Sequence, residues 1–147
     1  MGLIEDLGGG NVGVDTAIFI YFIEEHPHFL PVILPLFREA DQDKRELITS
    51  ALTPLELLVV PYRAGNRILA EKYEALLARS RGVRLVDLSR DQLRAAAQLR
   101  AATGVKTPDA LQLVAAISAG CAPFVTNDRR LPQIRGLRLV ELSSYVK

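Results

Sequence analysis

The sequence contains few of the residues from which several common kinds of site are built. Its 147 residues include one cysteine, which excludes an internal disulfide and any zinc site made mainly of cysteines. The two histidines, His26 and His28, stand in a predicted turn between helices, and we interpret them as surface residues rather than ligands of a transition metal. No Gly-x-x-x-x-Gly-Lys-[Ser/Thr] segment is present, which argues against a P-loop nucleotide site.

Long apolar runs and an excess of one charge are also missing. No stretch approaches the roughly 20 apolar residues that a membrane span needs, and Glu5 and Asp6 stand where a secretory signal would carry basic residues. We therefore expect a cytoplasmic protein without membrane association. The formal net charge is +1, so any affinity for nucleic acid must come from local clustering of basic residues.

Short β-like segments alternate with longer helical segments along the chain. Alternation of this kind predicts an α/β fold with a mostly parallel, roughly five-stranded sheet. The length suits a single domain over residues 1–147, with residues 1–10 as a flexible, glycine-rich lead-in. The β-like runs are Val12–Val14, Leu47–Thr49, Val83–Leu88, Phe124–Thr126 and Leu137–Leu142.

Two helical segments are apolar enough to lie near the centre of the fold. Thr16–Glu25 is apolar almost throughout and predicts a largely buried helix. The helix through Ala119 begins at Thr107 and Pro108, and after Asp109 its polar residues are Gln112 and Ser118. We expect this second helix to be central and buried.

A third helical segment carries more apolar residues than one core-facing stripe needs. It runs over His28–Ala40, and Pro35 inside it is expected to kink the helix or split it. A surplus of this kind is typical of an interaction surface, unless the next long helix covers it. The apolar residues are Leu30, Ile33, Leu34, Leu36 and Phe37.

Four carboxylates stand where predicted helices begin, three of them shortly after a β-like run. Each alone also fits a helix cap, and Thr53-x-x-Glu56 is a formal capping box. Capping does not require the four to share one sheet edge, where open α/β folds place their ligand crevice. Acids that converge there would repel one another unless a hard cation such as Mg²⁺ or Mn²⁺ lay between them. We expect one cavity surrounded by the carboxylates of Asp15, Glu56, Asp109 and Asp128.

Four segments that contain these acids resemble the signature segments of PIN domains, and in order and spacing they are most similar to VapC-type toxins. They are Val14-Asp15-Thr16-Ala17-Ile18-Phe19-Ile20, Thr53-Pro54-Leu55-Glu56-Leu57, Thr107-Pro108-Asp109-Ala110-Leu111-Gln112-Leu113-Val114-Ala115-Ala116 and Phe124-Val125-Thr126-Asn127-Asp128. The resemblance covers nearly the whole chain and implies a three-layer α/β/α sandwich.

The resemblance also implies an activity. It predicts a Mg²⁺- or Mn²⁺-dependent endoribonuclease that leaves a 5′-phosphate, in which the four acids are catalytic and hold the metal. It further implies that Thr16, Thr126 and Asn127 support the acids or the metal's waters. The implied partners are an RNA substrate, a protein antitoxin and a second copy of the chain, with the apolar third helix contributing to the protein contacts.

Two other functions remain open from the sequence. A catalytically silent PIN-type module would bind RNA or protein without cleaving, although all four acids are present. A receiver-like phosphoacceptor domain would carry paired acids after its first strand and a lysine after a late strand. Here Asp15 stands alone, and no lysine follows Phe124–Thr126 until Lys147, which argues against the receiver.

Overall fold

Five parallel strands form the centre of the protein, as seen in a computed structural model that describes residues 2–146. Their order across the sheet is β3-β2-β1-β4-β5, which confirms the predicted α/β class, and every pairing is parallel. The strands are β1 (Val12–Val14), β2 (Leu47–Ser50), β3 (Val83–Val86), β4 (Pro123–Thr126) and β5 (Arg138–Glu141).

Helices cover both faces of this sheet. Neighbouring strand residues point to opposite faces, so Leu47 packs in one apolar cluster with α2, α3 and α5, whereas Ile48 packs against α7 in another. None of the helices in residues 2–146 is both long and apolar enough to cross a membrane. The helices are α1 (Leu3–Leu7), α2 (Thr16–Ile23), α3 (Leu30–Asp41), α4 (Thr53–Arg63), α5 (Arg67–Arg79), α6 (Arg90–Thr103) and α7 (Thr107–Ser118), followed by a 3₁₀ turn at Leu142–Tyr145.

Gly13 lets α7 approach the central strand closely. A Cβ atom at this position would lie 2.6 Å from the Cβ of Ala116 and 2.7 Å from Cδ1 of Phe124, closer than real side chains pack. Residues 110–116 of α7 are all buried, as predicted for a central helix. The later turns of α7 are thereby held against β1.

The helix α2 is less buried than the sequence predicted. It ends at Ile23, and only Ile18 and Phe19 are fully buried, while Ile20 is 37% exposed. An eight-residue helix packed from one side covers only one stripe of its surface. The opposite side of α2 faces a cavity lined by Ala17 and Tyr21.

Pro35 does not split α3, which is one continuous helix, and the alternative of a kink stays a prediction. Proline at this position leaves the carbonyl of Pro31 without its helical donor. Both prolines are exposed, so water can satisfy that carbonyl.

The surplus apolar surface predicted for α3 is mostly absent. Ile33, Leu36 and Phe37 lie in the protein's own core, and Leu34 is half-buried. The exposed apolar stripe is instead on α4, where Leu55 and Tyr62 are each 62% exposed and Val59 is 37% exposed. Sequence periodicity identified an apolar helix but could not assign which neighbours would cover it.

The segment before β1 differs from the flexible lead-in expected for residues 1–10. Its helix α1 buries Leu3 and Leu7 in the core. The buried guanidinium of Arg45 donates to the carbonyls of Gly8 (2.5 Å) and Gly10 (3.2 Å) and pairs with Glu39 at 3.0 Å. These contacts fix the entry to the central strand at the amino edge of the sheet.

Candidate functional site

The four predicted acids lie along the carboxyl edge of the sheet. Asp15 directly follows β1, and Asp128 comes two residues after β4. Glu56 and Asp109 occupy the first turns of α4 and α7. These positions follow from the parallel topology, since strand ends and the helix starts beyond them gather at one edge of the sheet.

Asp15 is the most enclosed acid of this group. Its Oδ1 accepts a hydrogen bond from the Thr16 backbone N–H (2.9 Å), and its Oδ2 accepts one from the Thr126 hydroxyl (2.8 Å). Burial nevertheless raises the pKa of Asp15 above its ordinary value, and repulsion from Asp109 and Glu56 adds to the rise. The hydrogen bonds favour the charged form, but the loss of hydration outweighs them.

Asp109 has a raised pKa for the same leading reason. Partial burial is the largest cause, followed by repulsion from Asp128 and Glu56, while the cations of Arg130 and Lys106 oppose the rise only in part. The sequence argument that an acid at the start of so apolar a helix would be poorly hydrated is consistent with this electrostatic setting.

Glu56 does not form the capping box that its sequence position allowed. The residue that caps α4 is Leu52, with no side-chain hydrogen bond. Glu56 instead accepts a hydrogen bond of 2.7 Å from the hydroxyl of Thr16. Its carboxylate is thus tied to the start of α2, beside Asp15, rather than to its own helix.

Asp128 is paired with a cation from its own loop. Its Oδ1 accepts from the backbone N–H of Arg130 (2.9 Å) and from the Arg130 Nε (3.1 Å), and Oδ2 lies 3.4 Å from a terminal guanidinium nitrogen. These hydrogen bonds lower the pKa of Asp128. The Asp128 backbone N–H donates to Thr126, so this loop and Asp15 share one hydroxyl.

Three of the four acids line two cavities that share Asp128 and Arg130, and the expectation that all four surround one cavity stays a prediction. An open cavity of about 540 Å³ is lined by Asp15 and Asp128, with Tyr21 and Asn127 on its wall. A second cavity, of about 180 Å³, is lined by Asp109 and Asp128. Glu56 lines neither cavity. Asp128 therefore stands at the boundary between the two.

The donor set suits a hard divalent cation, although it is not arranged as a closed metal site. Within residues 2–146, no three side chains of the types Asp, Glu, His and Cys stand together closely enough to hold a metal ion. All four candidate ligands are carboxylates, the oxygen donors that Mg²⁺ and Mn²⁺ prefer. Burial and then repulsion from neighbouring carboxylates raise the pKa values of Asp15 and Asp109, and a nearby cation would relieve that repulsion.

The three predicted supporting residues have different surroundings. Thr16 and Thr126 each donate a hydrogen bond to one of the acids, Glu56 and Asp15 respectively. The Asn127 side chain lines the cavity with Asp15 and Asp128, and its hydrogen bonds within residues 2–146 go to the Ser143 backbone N–H (3.2 Å) and to the Tyr21 hydroxyl (3.5 Å).

Sequence reasoning missed a role for Gln112, whose amide contacts both Thr16 and Glu56. A polar Gln112 among the apolar residues of the predicted buried helix α7 was the signal in the sequence that could have indicated this role.

Comparisons with known proteins agree with this architecture. Comparison with curated proteins finds no match. Among solved structures, VapBC2 from Rickettsia felis bound to a DNA fragment from its promoter is similar, with 18% identity, a TM-score of 0.67, and coverage of 90% of this chain and 98% of the other. A toxin–antitoxin complex from Klebsiella pneumoniae is also similar, with 18% identity, a TM-score of 0.65, and coverage of 90% and 97%. The PIN domain family model matches residues 12–137, and the chain belongs to this family.

Proposed function

We propose that this protein is a metal-dependent endoribonuclease, the cytoplasmic toxin of a toxin–antitoxin pair. The observation that carries the proposal is the gathering of four acids at the carboxyl edge of the sheet. Two of them, Asp15 and Asp109, have raised pKa values that are caused first by burial and then by neighbouring carboxylates. Membership of the PIN family adds support, and the target RNA is open.

In this proposal the four acids form two pairs with different tasks. Asp15 and Asp109 hold the metal directly, because they are the two acids whose charge is least well hydrated. Glu56 and Asp128 bind through water or orient the attacking water. A bound Mg²⁺ or Mn²⁺ supplies a more acidic water and polarises a phosphoryl oxygen. Thr126 keeps Asp15 facing the crevice through its hydrogen bond of 2.8 Å. The reaction is hydrolysis of a phosphodiester that leaves a 5′-phosphate.

Cleavage of RNA by the purified chain tests the proposal. We expect single-stranded RNA to be cut in Mg²⁺ or Mn²⁺ and to stay intact in EDTA, with activity restored when metal is added back. The products should be ligatable through a 5′-phosphate. Absence of metal-dependent cleavage across a transcriptome-wide set of RNAs would contradict the nuclease assignment.

A catalytically silent PIN-type module is the second candidate, and one observation favours it. Asp128 pairs with Arg130, and within residues 2–146 it has no two acidic neighbours close enough to complete a metal site with it. This candidate predicts RNA or protein binding without cleavage in any metal. The same assay, read together with binding, separates the two functions.

Removing Arg130 is expected to strengthen metal binding. The Arg130→Ala variant frees both Asp128 oxygens, which now accept from the guanidinium, so Mn²⁺ affinity measured by titration calorimetry should rise several-fold. Arg129→Ala is the matched control, because that neighbouring side chain pairs with Glu141 instead. Equal effects of the two variants would show that only the overall charge matters.

An antitoxin partner is the proposed occupant of a cavity between α3 and α5. The cavity has a volume of about 240 Å³ and is lined by Leu34, Phe37 and Leu76, and also by Arg38, Asp41 and Arg81, of which Arg81 already pairs with Asp43. Such a lining would accept apolar side chains of a partner. The Klebsiella pneumoniae neighbour is a toxin–antitoxin complex, which supports a protein partner.

Sedimentation separates this contact from the proposed homodimer contact, which we assign to the α4 stripe of Leu55, Val59 and Tyr62. We expect Leu34→Glu to abolish binding of the product of an adjacent small open reading frame and to preserve self-association. Leu55→Glu should have the opposite effect. A chain that stays monomeric and ignores that product would contradict both contacts.

A further inference from the structure

The buried amide of Gln112 connects the sheet to the candidate site. Gln112 is 2% exposed and lies on α7 between Leu111 and Leu113, which are also buried. Its side chain reaches the end of β2 and the starts of α2 and α4. Every buried side-chain polar atom in residues 2–146 has a hydrogen-bond partner, so this amide is part of a fully satisfied network.

The orientation of the amide is fixed by a backbone donor. Amide groups alternate along β2, and those of Leu47 and Ala51 donate towards β3. The Ser50 N–H therefore faces the side of β1, where the pairing ends at Gly13↔Ile48. It donates instead to the Gln112 side chain at 3.1 Å. A backbone N–H can only donate, so the facing atom is Oε1 and the Nε2 group points the other way.

This orientation settles which hydroxyls of the buried threonines donate. The Gln112 Oε1 also accepts from the Thr49 hydroxyl at 3.0 Å, which uses the only proton of that hydroxyl. In the 2.6 Å contact between Thr49 and Thr53, Thr53 must then be the donor. Thr53 in turn accepts from the Gln112 Nε2 at 2.7 Å.

The last link of the network ends on Glu56. The second hydrogen of the Gln112 Nε2 is donated to the Thr16 hydroxyl at 3.1 Å. The proton of that hydroxyl is thereby directed to Glu56 Oε1 at 2.7 Å, while the 3.4 Å contact between Thr16 and Thr53 has no proton left to share. The Gln112 Nε2 also lies 3.5 Å from Glu56 Oε1, a longer and weaker contact than the two that use its hydrogens.

We propose that Gln112 is a positioning residue that sets the direction of the Thr16 hydroxyl and, through it, the place of the Glu56 carboxylate. This role rests on the proposed nuclease function, in which Glu56 holds a metal-bound water or orients the nucleophile. Through these hydrogen bonds the position of the exposed Glu56 carboxylate depends on the position of the sheet edge. Without this network, the Thr16 hydroxyl is no longer held in the direction in which it donates to Glu56.

A double-mutant cycle on Gln112→Met and Thr16→Val tests the route through Thr16. Both substitutions nearly conserve volume and remove polar atoms. For Gln112→Met we expect kcat to fall about 10–100-fold, the range for loss of an outer partner of a metal ligand, with KM little changed. In the Thr16→Val background the same substitution should have almost no further effect on kcat. Arg45→Met, destabilised at the opposite edge of the sheet, controls for loss of stability alone.

Two measurements that need no activity accompany the cycle. In NMR hydrogen exchange, the Ser50 backbone N–H should lose protection in Gln112→Met and keep it in Thr16→Val. Mn²⁺ affinity measured by titration calorimetry should fall in both single variants, with no further fall in the double variant.

The outcomes separate the two proposals. Effects of the single variants that multiply in the double variant, or a Ser50 N–H that stays protected in Gln112→Met, would overturn the role of Gln112 while leaving the nuclease standing. If the wild-type protein cleaves no RNA, the nuclease fails, and the exchange and Mn²⁺ measurements still decide whether Gln112 positions Glu56.

Discussion

Replacing Asp15 or Asp109 with asparagine is expected to reduce metal-dependent RNA cleavage by more than about a thousandfold, the loss that corresponds to several kcal/mol of metal-derived stabilisation of the transition state. Asparagine keeps nearly the same volume and removes the negative charge that attracts the cation. Cleavage of a labelled RNA in Mg²⁺ and Mn²⁺ measures the effect. Asp91→Asn is the matched control, because Asp91 is also in the first turn of a helix but pairs with the exposed Arg94. Wild-type rates in the Asp15 and Asp109 variants would show that these acids are not metal ligands.

The same substitutions should stabilise the metal-free protein. Burial and neighbouring acids raise the pKa of Asp15 and of Asp109 above the ordinary value of 3.8, so the folded state binds these protons more tightly than the unfolded chain. Proton binding by these two acids therefore adds its whole contribution to the free energy of unfolding below about pH 3.8. That contribution is lost as the pH rises through the folded-state pKa values. An asparagine variant has no carboxyl group to ionise at that position, so its stability does not fall for this reason as the pH rises.

Thermal unfolding in EDTA across a pH series measures this effect. At neutral pH we expect Asp15→Asn to unfold about 2–4 °C above wild type, a shift of the size that 1 kcal/mol produces in a domain of this length. The difference should shrink as the pH falls towards 4, because the wild-type carboxyl then becomes neutral too. A difference that grows on acidification would contradict the raised pKa.

The second large effect is expected at Arg45, on the other edge of the sheet. Its guanidinium is buried and holds Glu39 together with two carbonyls of the segment that precedes β1. Replacement by methionine leaves the Glu39 carboxylate and these carbonyls without their donor. We expect the free energy of unfolding to fall by roughly 3–5 kcal/mol, the cost of breaking a buried pair from one side. Urea denaturation measures it.

Two companion variants define the origin of this loss. Glu39→Gln in the Arg45→Met background should recover part of the stability, since an uncompensated charge is removed. Arg81→Met is the matched control, because Arg81 also pairs with an acid, Asp43, but both side chains are mostly exposed, and such pairs contribute little. If Arg45→Met unfolds like the Arg81 variant, the segment before β1 is not held by this contact.

The sequence by itself determined the order of the elements and the edge to which the acids belong. All five strands begin and end close to the predicted apolar runs, because apolar strand segments are a local signal, although only the central strands β1, β2 and β4 are buried throughout. Asp15 and Asp128 follow strands, and Glu56 and Asp109 open helices, so a parallel topology was enough to bring them to one edge. Pro54 and Pro108 mark both helix starts in the chain itself.

Only the tertiary structure decided what surrounds each acid. Thr16 is 40 residues from Glu56 and 96 from Gln112, and no local pattern indicates that the three side chains meet. The pairing of Asp128 with Arg130 spans two residues, yet it competes with solvent and with the other acids, so the spacing alone does not select it. Hydrogen bonds and pKa values depend on burial and on neighbours that distant segments contribute. Hydrophobic periodicity predicts which face of a helix or strand is buried, but it does not predict which other element packs against that face.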